Sequence, residues 1–181
     1  MRSFSVISGG PGSGKSTLIA ALGRAGFRTS SEVGRRIIQE QVAISGRALP
    51  WVDPVLFAEM MLSWEIRAFH DHAARAGRVF FDRGVPDVIG YLRLQGLPVP
   101  AHMEKAAALF RYARRVFLCP PWPEIFTRDE ERKQSLEEAE RTYASMVMTY
   151  SACGYELLDV PRGTVEERVA FILGRGAGAS A

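Results

Sequence analysis

The sequence predicts a three-layer α/β/α fold around a mostly parallel five-stranded sheet, and three observations carry that prediction. Apolar strand-like runs alternate with helix-patterned segments along the chain, the first run empties into a glycine-rich loop, and 181 residues suffice to bury one core. The first strand is read over Phe4–Ser8, and Thr17 to Leu22 can open the helix that follows the loop. A second strand, Phe27–Ser31, precedes the polar run Ser30 to Arg36. Asp53-Pro54 then sets a capping acid before a first-turn proline, and Phe57, Met61, Trp64 and Ala68 recur at helical spacing as a core stripe. The third strand, Arg78–Phe81, delivers Asp82 to its end, and Pro86 and Asp87 suit the first turn of another helix. The fourth, Arg115–Cys119, is broken by Pro120-Pro121. Ser135 with Glu138, and Thr164 with Glu167, form the capping-box pattern, and Ala139, Tyr143, Met146 and Tyr150 make a second core stripe. Gly154 suits a helix C-cap before the fifth strand, Tyr155–Val160. One domain is expected over 1–174, with a lid at about 121–134 and a flexible tail over 175–181.

The loop is the most informative segment. Gly9-Gly10-Pro11-Gly12-Ser13-Gly14-Lys15-Ser16-Thr17 satisfies G-x-x-x-x-G-K-[ST] from Gly9 to Ser16, so a P-loop NTPase is expected. Glycines let backbone N–H groups curl around an anion, and the following helix adds the positive end of its dipole. Lys15 is placed on the outer phosphates and Ser16 on Mg2+. Lys15, Lys105 and Lys133 are the only lysines among 23 basic residues, and one of the three stands where this chemistry needs it.

Three further clusters are candidates. Asp82-Arg83-Gly84-Val85-Pro86-Asp87 reads D-R-G-x-x-D: Asp82 can support Mg2+ or accept a proton from a substrate hydroxyl, and Arg83 can clamp a phosphate. Asp87 reads equally as a substrate contact or as a helix-dipole acid. At the end of the second strand Glu32 can bind substrate hydroxyls and Arg35 or Arg36 an anionic group, against the plainer reading of a first-turn acid with exposed arginines. Arg128 and Arg132, four apart, share a helix face and can close over a triphosphate, or belong to a solvated charged helix. His70 and His72, two apart on a helix, make a poor metal pair, and Arg111, Arg114 and Arg115 read as a solvated helix end.

Composition narrows the setting. A net charge of +3 without a basic block interleaved with aromatics argues against nucleic acid as partner. No window approaches a membrane span, Met1 leads directly into a strand, and Cys119 and Cys153 lie far apart in apolar contexts. A cytoplasmic protein with buried free thiols is expected. Oligomeric state is not read from the sequence.

The loop, Glu32 to Arg36, Phe80 to Asp87, and Pro120-Pro121-Trp122-Pro123-Glu124-Ile125-Phe126 through Arg132 together resemble, over nearly the whole chain, a family of small P-loop proteins described as AAA-domain ATPases. That family is similar to the ribosylnicotinamide kinase domain of NadR and, more remotely, to nucleoside and nucleotide kinases. The resemblance implies a nucleotide-kinase-like core with a short arginine-bearing lid. It maps the phosphate loop to Gly9–Thr17, the Asp-Arg pair to Asp82 and Arg83, and the lid arginines to Arg128 and Arg132. A chain of this length is not expected to hold the helical lid domain of a ring-forming AAA machine, and it contains no Asn/Thr-Lys-x-Asp segment of a Ras-like guanine reader. ATP is the expected nucleotide, with GTP left open and Mg2+ as cofactor. The expected function is phosphoryl transfer to a small hydroxyl-bearing metabolite such as a nucleoside or riboside. A nucleotide-dependent switch and a nucleic-acid end kinase stand as alternatives.

Overall fold

A computed structural model describes residues 2–74, 76–125 and 135–176. Five strands, β1 (Arg2–Gly9), β2 (Arg28–Ser30), β3 (Gly77–Asp82), β4 (Arg115–Cys119) and β5 (Glu156–Asp159), pair in the order β2-β3-β1-β4-β5, and every pairing is parallel. The helices among the described residues are α1 (Lys15–Arg24), α2 (Val33–Ala43), α3 (Pro54–Ala73), α4 (Val85–Leu94), α5 (Ala101–Leu109), α6 (Leu136–Ala152) and α7 (Val165–Gly176). All five expected strands form within a residue or two of their predicted bounds.

The period-two alternation of the strands assigns their side chains to two cores. Phe4, Val6, Val79, Phe81, Val116 and Leu118 pack with residues of α3 to α6, whereas Ile7, Phe80, Phe117 and Cys119 pack against α1 and α7. The three expected helix starts form as written. Asp53 accepts from the Leu56 N–H at 3.0 Å, and Ser135–Glu138 and Thr164–Glu167 each close a reciprocal capping box at 2.8–3.2 Å. Each such cap contributes about 1 kcal/mol. Gly154 adopts φ 78°, and the Tyr155 N–H bonds back to the Tyr150 carbonyl at 3.1 Å, closing α6.

Four expectations are corrected. In α3 the deeply buried residues are Phe57, Ala58, Leu62 and Glu65, whereas Met61, Trp64 and Ala68 are half-buried and pack against the core clusters without entering them fully. The tail does not begin at 175, since α7 runs through Gly176. Cys119 is buried but Cys153 is half-buried; both are free thiols. Arg111, Arg114 and Arg115 lie past the end of α5, which stops at Leu109, in the connection to β4 and on its first residue, with Arg111 and Arg114 exposed as expected. Arg111 lies over the Tyr155 ring, and the other two pair with Glu156. After β4 a short 3-10 turn over Pro123–Ile125 is described; Arg128 and Arg132, and residues 177–181, lie outside the described residues.

Candidate phosphate-loop site and adjoining cavity

Strand register gathers the candidate residues. Ile7 is level with Asp82 on one side and Phe117 on the other, so β1, β3 and β4 end together, and β2 ends level with Phe81, just before Glu32. In a parallel sheet the crevice beyond these carboxyl ends is where ligands bind.

The loop after β1 is held by close packing. A Cβ on Gly9 would meet the Cys119 carbonyl oxygen at 2.3 Å, and one on Gly10 would meet that of Ala139 at 2.4 Å, so β4 and α6 press on the loop where only glycine fits. Pro11 follows; Gly12 and Gly14 take left-handed φ of 66° and 73°, and Gly14 is the N-cap of α1, whose first turn is Lys15, Ser16 and Thr17. Ser13 Oγ donates to the Gly10 carbonyl at 2.8 Å, and Lys15 Nζ donates to the same oxygen at 2.6 Å and to Ser13 Oγ at 3.3 Å.

Asp82 and Arg83 stand beside this loop. Asp82 is 4% exposed and its Oδ1 has no hydrogen-bond partner among the described residues. Burial first, then Glu32, lifts its carboxyl to about 6 against the pull of Lys15 and Arg83. An unsatisfied, desolvated carboxylate oxygen is a fit for a hard cation or its bound water. Among the described residues no cluster of three or more His, Cys, Asp or Glu forms a metal cage, and Mg2+ held between phosphates needs only one or two protein oxygens. Arg83, with φ 75°, is one of two non-glycine residues at positive φ among the described residues. That strain is held by its N–H to Ile7 O at 3.0 Å and by its guanidinium, which bridges Glu32 and Asp87 at 3.1 Å each. Burial opposes its charge, but Glu32, Asp87 and Asp82 more than offset this and raise its pKa.

Asp87 is saturated. It accepts from Ser8 Oγ and Tyr150 OH at 2.5 Å, from the Gly84 N–H at 2.9 Å and from Arg83. Its oxygens are committed to tying β1, α4 and α6 together, which favours the structural reading over substrate contact. A cavity of about 630 Å³ opens alongside, lined by Pro11 of the loop, Glu32, Arg83 and Asp87 together with Phe57, Met61 and Tyr91. Arg35 and Arg36 do not line it; Arg36 pairs with Glu40 at 3.3 Å and covers Trp64.

Two residues escaped the sequence reading. Glu65 is 2% exposed on α3 and lines the cavity. Nothing marked it, since an acid inside an apolar helix pattern reads as its exposed face. Burial first, then Asp87 and Asp82, pushes its carboxyl well above the ordinary 4.5. The folded state thus keeps a proton that the unfolded chain releases, so the stability this group contributes is full below pH 4.5 and falls as pH rises toward the folded value. Glu65→Gln is expected to flatten the decline of Tm as pH rises above 4.5; parallel Tm–pH curves for variant and wild type would refute this.

Arg168, 4% exposed in the first turn of α7, reaches the outside of the phosphate loop. Nη2 donates to the Ser13 carbonyl at 3.0 Å and to Cys119 Sγ at 3.3 Å, and Nη1 to the Gly14 carbonyl at 3.4 Å. In a trans peptide the carbonyl and the next N–H point opposite ways, so this grip aims the Gly14 and Lys15 N–H groups at the inner side. Arg168→Met should weaken nucleotide binding about ten- to hundredfold, as expected for hydrogen bonds from a charged donor, with Arg168→Lys recovering part. Unchanged calorimetric affinity in the Met variant would remove this role.

Residues 4–168 match the family model described as AAA domain. No curated protein matches the sequence. Among solved structures the chain is similar to the NadR protein in complex with NR, at 19% identity and a TM-score of 0.72, with 99% of this chain aligned to 52% of that one. It is also similar to deoxyadenosine kinase from M. mycoides (15% identity, TM-score 0.66, 99% of this chain and 100% of that). Thymidylate kinase from Ehrlichia chaffeensis gives 13% identity and a TM-score of 0.63 over 96% of this chain and 98% of that. The chain spans about half the length of the NadR chain. At these identities the likeness establishes a nucleotide-kinase-like P-loop fold.

Proposed function

This chain belongs to the AAA-domain family, and from the site it builds we propose that it is an ATP- and Mg2+-dependent phosphotransferase acting on a small hydroxyl-bearing metabolite such as a nucleoside or riboside. The observation that carries this reading is the cavity that shares Pro11 with the phosphate loop and has Glu32 on its wall. A switch needs a nucleotide site alone; a transferase needs a second, concave site within reach of the terminal phosphate.

Lys15 and the loop N–H groups bind the phosphates, and Ser16 and Asp82 are the residues that would hold Mg2+, which when bound offsets charge on the phosphates. Asp82 does not line the cavity, whereas Glu32 does. The two carboxylates therefore divide the work: Asp82 serves the metal side, and Glu32 orients the acceptor hydroxyl and takes its proton. Arg83, fixed between Glu32 and Asp87, keeps Glu32 in place and presents positive charge toward the transferring group. Arg128 and Arg132 complete this reading as lid residues over the triphosphate.

The test is a phosphate-transfer screen with ATP, Mg2+ and a panel of nucleosides, ribosides and oligonucleotide ends. Transfer to a small hydroxyl compound is expected. Tight nucleotide binding with no acceptor phosphorylated would favour the switch, and transfer confined to oligonucleotides, with steep salt dependence, the end kinase.

A further inference from the structure

We infer that Glu65 is a specificity-determining residue of the cavity: its carboxyl pairs with a ring edge on which a hydrogen-bond donor and an acceptor stand side by side. The compound bound there carries an amide- or amidine-edged nitrogen ring and is not a plain sugar or polyol. This deepens the phosphotransferase reading and rests on the cavity being the acceptor site.

Four carboxyl side chains line the cavity, and three of them are engaged. Glu32 and Asp87 are tied to Arg83 at 3.1 Å each, and Glu138 accepts from the Ser135 N–H at 2.9 Å. Glu65 differs: it is 2% exposed and makes no hydrogen bond among the described residues. A buried polar group without a partner is costly to the protein, so a ligand that supplies the partner recovers that cost on binding.

The state of that carboxyl sets what the ligand presents. Burial first, then Asp87 and Asp82, keeps its proton in place against the pull of Arg83. A protonated carboxyl carries an O–H donor beside a carbonyl acceptor, and an amide or amidine edge completes both at once. The uncapped first turn of α2, Val33 and Gly34, lines the same cavity but offers N–H donors alone. The surroundings suit a flat ring with apolar faces and a polar edge. Phe57, Met61 and Glu65 recur at steps of four along α3 and all line the cavity, and Phe57 meets the Tyr91 ring edge-on at 5.4 Å between centroids. The Tyr91 hydroxyl, buried and unpartnered among the described residues, is a further polar contact in the same space.

Edge-deleted analogues test this with MgATP and the full chain: adenosine and inosine against purine riboside, cytidine and uridine against pyrimidin-2-one riboside. Each analogue keeps ribose and ring but lacks the edge's donor. By kcat/KM, at least one nucleoside is expected to be favoured about tenfold or more over its analogue. Glu65→Gln, whose amide offers the same donor and acceptor, should keep that preference. Glu65→Met, an apolar chain of like length, should cut it at least about fivefold, with Glu65→Leu in its place if it does not fold. A merely structural role would lower both rates of a pair and leave their ratio unmoved. The inference is overturned by a wild-type preference below tenfold in every pair, by a preference that survives removal of the carboxyl, or by one that the Gln variant also loses. If none of the six compounds accepts phosphate, transfer to nucleosides falls, and calorimetry on the chain saturated with Mg2+ and AMP-PNP decides the role of Glu65. The same gap in affinity and the same loss in the Met variant uphold it; a smaller gap or no binding overturns it.

Discussion

Replacing Lys15 with alanine is expected to lower phosphoryl transfer by at least about 10²- to 10³-fold, the range seen when one preorganised donor to a developing charge is removed, with the fold left intact. Lys15 is 6% exposed, and burial first, then Arg83, lowers its pKa while Asp82 and Glu32 support the charge. Its ammonium is thus a desolvated donor, where a point charge acts most strongly on phosphate oxygens. The fold survives because Ser13 Oγ still satisfies the Gly10 carbonyl at 2.8 Å. Turnover with the acceptor found in the screen and thermal denaturation check both halves. Robust transfer by the variant would refute the assignment.

Asp82→Asn is expected to separate function from stability. The substitution keeps shape and removes charge, so the Mg2+ dependence of nucleotide binding should vanish and transfer should fall about 10²-fold or more. Stability should hold or improve, because an ionised carboxylate whose Oδ1 lacks a hydrogen-bond partner among the described residues is a cost to the folded state. Calorimetry with and without Mg2+, alongside melting at about pH 8, reads both effects. A lower Tm with unchanged Mg2+ dependence would make Asp82 a structural acid and end its assignment here.

What could be read from the sequence followed the range over which each signal acts. Strands announced themselves as apolar runs, and helix starts as Asp53-Pro54, Ser135–Glu138 and Thr164–Glu167, because those signals act within four residues. The phosphate loop was readable for the same reason. Pairings across the fold were not. Arg83 bridging Glu32 and Asp87 spans 51 residues on one arm, and Asp87 reaches Ser8 across 79. Arg35 and Arg36 shared a cluster with Glu32 in sequence, yet only Glu32 borders the cavity, because α2 turns successive side chains through about 100°. Glu65 was hidden because its burial comes from what surrounds α3 rather than from its neighbours in the chain.

The grip of Arg168 on the loop carries a consequence for biogenesis. The loop is synthesised well before the guanidinium that steadies it, which belongs to a residue 155 positions later than Ser13. A nascent chain therefore carries the complete motif while its anion cradle is still untensioned, and nucleotide can stabilise the protein only after α7 docks. ATP would then act as a late fastener on a finished fold, raising the yield of native protein during refolding without speeding its earliest steps.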